Sequence, residues 1–130
     1  MLSYKILVVD DVMIMRKVIK DILVDHCNMD PLYVLEAADG ENAVFMYKEF
    51  RPDIVFLDIA IPDSDGKTLV KEFLEINPQA KIIMCTGSSD KMSVVECIRS
   101  GARDYIRKPP TPDRVQKALE KVVDMEGEAV

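Results

Sequence analysis

The chain has 130 residues, 48% of them hydrophobic and 31% charged, with a formal net charge of −6. A chain of this length makes one domain that buries roughly two-thirds of its unfolded surface and needs no metal or disulfide to hold a core. The negative balance argues against a nucleic-acid partner, whose phosphates select a basic surface, and no apolar run approaches the roughly 20 residues of a membrane span.

Cys27, Cys85 and Cys97 are odd in number, widely spaced and set in apolar surroundings, and His26 is the single histidine. Neither a disulfide framework nor a zinc site is supported. The opening Met1–Lys5 runs straight into an apolar stretch and leaves no room for a signal peptide, which places the protein in the cytoplasm.

In chain order, Ile6-Leu7-Val8-Val9 reads as a first strand, unbroken rather than alternating, as in strands buried on both faces. A helix starts just after Asp11, carries Met15, Val18, Ile19, Ile22 and Leu23 on one face, and ends near His26. Asp30-Pro31 turns the chain into a second strand, Tyr33-Val34-Leu35, and Ala38-Asp39-Gly40-Glu41 opens a helix through Phe50 that Arg51-Pro52 closes. Ile54-Val55-Phe56-Leu57 is the third strand, followed by a helix from about Gly66 to Asn77 with Leu69, Phe73, Leu74 and Ile76 as its apolar set. Ile82-Ile83-Met84-Cys85 is the fourth strand, Ser89 the N-cap of a helix through Ser100, and Tyr105-Ile106 a short fifth strand. Thr111 caps the last helix, Pro112 takes its first position, Val115, Leu119, Val122 and Val123 form its buried face, and Glu126–Val130 is expected to fray. Five strands alternating with five helices make an α/β fold with a parallel sheet, in which chemistry collects at the carboxyl ends of the strands.

Those ends carry Asp10-Asp11, Asp58, Thr86 and Lys108. Each has a plain explanation when taken alone. An Asp at the head of a helix is usually an N-cap, Asp58 precedes the turn at Pro62, Thr86-Gly87 starts a loop, and Lys108 before Pro109-Pro110 is a solvated strand end. Together they say more. Three carboxylates about 5 Å apart repel by roughly 3 kcal/mol per pair at an effective dielectric of 20, so such a cluster needs a cation. With only oxygen donors in reach, the natural occupant is Mg²⁺, with positions left for a phosphate oxygen. A Mg²⁺, the Lys108 ammonium and the Thr86 hydroxyl are what a phosphoryl group needs around its oxygens, and Asp58 becomes the nucleophile that forms an aspartyl-phosphate.

These residues carry a family resemblance. Ile6–Asp11 with Met15-Arg16, Ala38–Ala43, Pro52–Asp58, Pro62 with Gly66, and Gly101–Pro109 resemble the response-regulator receiver domains of two-component signalling, closest in form to stand-alone chemotaxis receivers of the CheY type, over about residues 4–125 of what reads as a single receiver domain spanning 1–130. The resemblance implies a flavodoxin-like, doubly wound five-stranded parallel sheet of order 2-1-3-4-5, for which this family is itself a standing example. It implies that Asp58 takes a phosphoryl group from the phosphohistidine of a sensor histidine kinase, that Asp11 binds Mg²⁺ directly and Asp10 largely through water, and that the backbone carbonyl of Ala60 completes the protein ligands. Lys108 would pair with the phosphoryl group, Thr86 would swing its hydroxyl toward it, and Tyr105 would turn inward, although a half-buried aromatic on an edge strand has a plain packing explanation. The Lys108-Pro109 peptide is expected to be cis. The output surface implied is the fourth helix, fifth strand and fifth helix, with Arg99, Arg103, Arg107 and Gln116 as polar anchors. The partners implied are the kinase, a downstream protein target such as a flagellar motor switch, and a phosphatase.

Ala60 departs from the many relatives with a larger or polar side chain at that position, Pro110 from their aromatic or aliphatic residue, and Ile61 from their usual Met. Gly66-Lys67-Thr68 is no P-loop, because Ile61 stands where a glycine is required, and Asp63-Ser64-Asp65-Gly66 reads as a turn rather than a calcium loop. An aspartate-dependent phosphatase would want a general acid where Ala60 stands, and a flavin carrier a phosphate-cradling loop where Asp10-Asp11 stand. The receiver part of a larger transcriptional or enzymatic regulator remains the alternative to a stand-alone switch.

Overall fold

The computed structural model describes residues 4–87 and 91–128, with side chains through residue 123. Its main elements are β1 (Ile6–Val9), α1 (Met13–Asp25), β2 (Val34–Ala37), α2 (Gly40–Phe50), β3 (Ile54–Asp58), α3 (Gly66–Ile76), β4 (Lys81–Thr86), α4 (Lys91–Ser100), β5 (Asp104–Arg107) and α5 (Pro112–Glu128). The five strands form one parallel sheet in the order β2-β1-β3-β4-β5. The chain therefore steps from β1 outward to β2, returns to the far side of β1 for β3, and continues away. That reversal lies between β1 and β3, and in open α/β sheets the crevice beyond such a reversal is where ligands bind.

Strand alternation divides the core in two. Ile6, Val8, Ile54, Phe56, Ile83 and Cys85 point to the face covered by α1 and α5, while Leu7, Val9, Val55, Leu57, Ile82 and Met84 point to the face covered by α2, α3 and α4. Because both faces are covered, β1, β3 and most of β4 are wholly buried, and their sequences are continuous apolar runs rather than alternating ones. The edge strands are different. β2 and β5 are each buried at some positions and open at others, so their apolar signal is broken. This is why β2 starts at Val34 rather than Tyr33: Pro31–Tyr33 forms a short 3₁₀ turn capped by the Asp30 carboxylate, which accepts from Leu32 N–H at 2.9 Å.

Other departures are local. Val18 is 36% exposed, so the buried face of α1 is Ile19, Ile22 and Leu23 with Met15 half-buried. α5 continues through Glu128, beyond the expected start of fraying at Glu126, and the expected cap Ser89 lies outside the described residues. An unforeseen two-residue antiparallel ribbon pairs Ala60–Ile61 with Ser64–Asp65 directly after β3. The cap at Thr111 forms as expected, accepting from Arg114 N–H at 3.3 Å, and the Lys108-Pro109 peptide is cis.

Candidate functional site

Asp10-Asp11, Asp58, Thr86 and Lys108 all emerge at the carboxyl edge of the sheet, from β1, β3, β4 and β5 respectively. Among the described residues, Asp10, Asp58 and Thr86 are the buried polar or charged ones, at 1%, 8% and 5% exposure, whereas Asp11 faces solvent. One carboxylate oxygen from each of Asp10, Asp11 and Asp58 lies within 4.8 Å of the others. The capping explanation for the acid pair fails. The N-cap of α1 is Val12, with no side-chain hydrogen bond, and Asp10 Oδ1 instead accepts from Val12 N–H at 2.9 Å, turning the backbone so that Asp11 stands beside it. Asp58 Oδ1 accepts from Ala60 N–H at 3.3 Å, a turn contact that leaves its other oxygen facing the cluster.

Lys108 reaches across this edge. Its Nζ donates to Asp10 Oδ2 at 2.8 Å and lies 3.3 Å from Asp58 Oδ2, while its own N–H donates to the Thr86 carbonyl at 2.7 Å. Burial alone lowers the lysine pKa, but the hydrogen bond to Asp10 and the charges of Asp58 and Asp10 outweigh it, and the net direction is upward. Asp58 is raised, first by burial and then by the neighbouring Asp10 charge, against which Lys108 and the Ala60 N–H prevail only in part. Cys85, the register partner of Asp58, is pushed up to about 12 by burial and is an inert thiol.

Three carboxylates against one ammonium leave this edge in need of further positive charge, and the donor set is entirely oxygen. That chemistry fits a hard divalent cation that keeps several waters, which is to say Mg²⁺.

Sequence reasoning missed the residues that hold these groups in place. Arg16 donates from Nη1 to the Asp10 carbonyl at 2.7 Å and from Nε to Glu36 Oε1 at 3.1 Å, tying the acid-bearing loop to β2. Asp10 N–H donates to the Ala37 carbonyl at 3.1 Å. Asp63 joins the ribbon to the start of α2, through contacts 22 and 23 residues apart that no local pattern announces. Tyr105 stands 48% exposed on β5, opposite Met84 in the register.

The profile of the response regulator receiver domain matches residues 6–120. The chain belongs to the response-regulator receiver family. It is 43% identical to the chemotaxis protein CheY of Bacillus subtilis (strain 168) over 123 residues, covering 95% of this chain and 100% of that one. It is 42% identical to the CheY of Thermotoga maritima over 118 residues, covering 91% and 96%. A crystal structure of a response regulator receiver domain protein from Clostridium thermocellum superposes with a TM-score of 0.88 at 26% identity, covering 99% of this receiver and 100% of that chain. Phosphorylation and Mg²⁺ binding are general properties of the family, whose members act as signalling switches rather than turnover enzymes. No helix among the described residues is long and apolar enough to cross a membrane.

Proposed function

We propose that Asp58 is the phospho-acceptor of this receiver, and that Asp10, Asp11, Asp58 and the Ala60 backbone carbonyl hold the Mg²⁺. The observation that carries this reading is the convergence of three carboxylates within 4.8 Å, two of them, Asp10 and Asp58, joined by the half-buried Lys108, at the sheet's topological reversal. The phosphoryl group passes from a phosphohistidine nitrogen of the donor kinase to an Asp58 carboxylate oxygen: the P–N bond breaks, a P–O bond forms, and the electron pair returns to the imidazole. Mg²⁺, when bound, offsets the negative charge that carboxylates and phosphoryl oxygens bring together. Lys108 is already within reach of Asp58 and supplies the second positive charge on the transferring group, while Asp10 stays fixed by Val12 N–H and Arg16.

Phosphorylation adds about −1.5 to −2 charge and three acceptor oxygens. Thr86 turns its hydroxyl toward them, Tyr105 moves into the space vacated, and the α4–β5–α5 face changes its affinity for a partner. Two things support this surface as the output. Met92 is 68% exposed, Val95 and Ile98 are open on the same helix α4, and Tyr105 is open on β5. Basic Arg99 and Arg107 lie on the same two elements and add charged groups to this open apolar surface. The near-complete coverage of the CheY relatives supports a stand-alone chemotaxis-type regulator in the cytoplasm, with a motor-switch protein as target and a separate phosphatase to end the signal. Ala60, small and exposed, offers no side-chain help to an attacking water.

The test is the response to Mg²⁺ with beryllofluoride, an aspartyl-phosphate mimic, followed by NMR. Shifts at Asp58, Thr86, Tyr105 and Lys108 that require Mg²⁺ are expected; a cluster that binds neither component rejects the reading.

A further inference from the structure

The segment after β3 is a small hairpin. At its base, Ile59 N–H donates to the Cys85 carbonyl at 3.3 Å and Gly66 N–H donates to the Ile59 carbonyl at 2.9 Å; above them Ala60 pairs with Asp65 and Ile61 with Ser64. At its tip sits Asp63, and its carboxylate does not serve its own helix. Asp63 Oδ1 accepts from Gly40 N–H at 2.6 Å and Oδ2 accepts from Glu41 N–H at 3.0 Å, so both oxygens engage the first turn of α2. Each helix involved has its own cap already: Asp39 accepts from Asn42 N–H and Asp65 from Thr68 N–H, both at 2.8 Å. Asp63 is therefore an additional, long-range attachment, strong because an anionic acceptor meets unsatisfied amides at the positive end of a helix. These two hydrogen bonds hold its carboxyl below the usual carboxylate range, so it is an anion at neutral pH.

The approach is close. A Cβ at Gly40 would stand 3.0 Å from Ser64 Cβ and 3.1 Å from Asp63 Oδ1, so only glycine lets the hairpin tip settle there without displacement. The end of β2 that leads into α2 also braces the other acid-bearing loop, through the Ala37 carbonyl that accepts from Asp10 N–H and through Glu36, which pairs with Arg16. Asp10 and the segment carrying Ala60 thus lean on one short stretch, residues 36–41, that contributes no ligand.

We propose that Asp63 is a positioning residue: by fastening the hairpin tip to the start of α2, it sets where the Ala60 carbonyl stands relative to Asp11 and Asp58, and so tunes Mg²⁺ affinity. The inference rests on the metal-site reading above. Partners of metal ligands that are not ligands themselves commonly change affinity by 10–100-fold.

The experiment is a Mg²⁺ titration of the full, isotope-labelled chain, well below its melting temperature and in about 0.3 M KCl to screen distant charge. It reads the backbone amides of Asp11 and Ala60 in the wild type, Asp63→Ala, Asp63→Asn and Gly40→Ala. Asp63→Ala is expected to weaken Mg²⁺ about tenfold, Asp63→Asn less because one acceptor oxygen remains, and Gly40→Ala in the same direction with every charge retained. A purely structural role would lower the melting temperature and leave these constants alone. Folded variants that bind within about twofold of wild type overturn the proposal, as does a loss confined to the charge-removing variants, which would mark a distant-charge effect. If Asp63→Ala does not fold, Asp63→Asn and Gly40→Ala carry the comparison. A wild type with no Mg²⁺ response at Asp11 or Ala60 would instead sink the metal-site reading, and this inference with it.

Discussion

The two ends of the proposed signal path are built differently. At the acid cluster Asp10 is held on every side: its N–H by Ala37, its carbonyl by Arg16, its carboxylate by Val12 N–H and Lys108. On the α4–β5 face, α4 buries only Cys97, and Met92, Val95, Ile98 and Tyr105 stand open. The reacting end needs fixed geometry, because positioning and preorganised charge supply most of phosphoryl-transfer catalysis. The readout end needs two arrangements of similar energy, and elements that move are drawn from the lightly anchored part of a fold. The link between them is short: Lys108 N–H bonds the Thr86 carbonyl, and Thr86 in β4 pairs with Arg107 in β5.

The contrast can be broken at its rigid end first. Asp58→Ala is expected to abolish phosphoryl incorporation, read by intact mass after incubation with the donor kinase, while the circular dichroism of the fold persists. Full incorporation at another residue would remove Asp58 from its role. Next in size, Lys108→Met leaves the 1%-exposed Asp10 carboxylate beside Asp58 without its cation. Breaking a buried ion pair from one side costs about 3 kcal/mol. The Mg²⁺-free protein should melt roughly 10 °C lower, and millimolar Mg²⁺ should recover much of the loss. A mobile end predicts something smaller and more local. Cys97→Ala, which trims the one buried side chain of α4, should cost about 1.5 kcal/mol and speed amide hydrogen exchange in α4 while leaving β1 and β3 protected. Uniform loss of protection across the sheet would show that the two ends are not separately anchored.

The same contrast explains what the sequence made legible. β1 and β3 are buried on both faces, so Ile6–Val9 and Ile54–Asp58 announce themselves as unbroken apolar runs, and the acids that end them are conspicuous against that background. Their convergence was readable because parallel strands deliver their carboxyl ends to one edge. β2 and β5, open on parts of their faces, gave weaker signals, and Tyr33 was misplaced into β2 because an exposed aromatic after Asp30-Pro31 looks like a strand residue. The supports of the site, Arg16 on Glu36 and Asp63 on α2, were not readable, because each joins residues some 20 positions apart through contacts that depend on the finished fold. The apolar patch of Met92, Val95 and Ile98 was missed for a related reason: at helical spacing it is indistinguishable from a core stripe until the covering element proves to be absent among the described residues.

The smallest expected effect has the opposite sign and bears on why the rigid end is held so firmly. Burial and the adjacent Asp10 charge raise the Asp58 pKa in spite of Lys108, so in the metal-free fold the ionised form of Asp58 is disfavoured relative to the unfolded chain. A carboxyl whose folded pKa lies above its unfolded value of 3.8 withdraws stability as pH rises from that value through the folded one. Asp58→Asn removes that charge while preserving size and leaving Lys108 its 2.8 Å contact with Asp10. The relief of roughly 3 kcal/mol of repulsion is offset in large part by the lost attraction to Lys108 at 3.3 Å, and a net gain of about 1 kcal/mol should make the variant melt about 4 °C above wild type in EDTA at pH 7. In saturating Mg²⁺ the order should reverse, because wild type gains stability from the bound cation that a neutral amide supports less well. A variant less stable than wild type in EDTA would mean that Lys108 already neutralises the cluster, and that charge excess is not what draws the metal in.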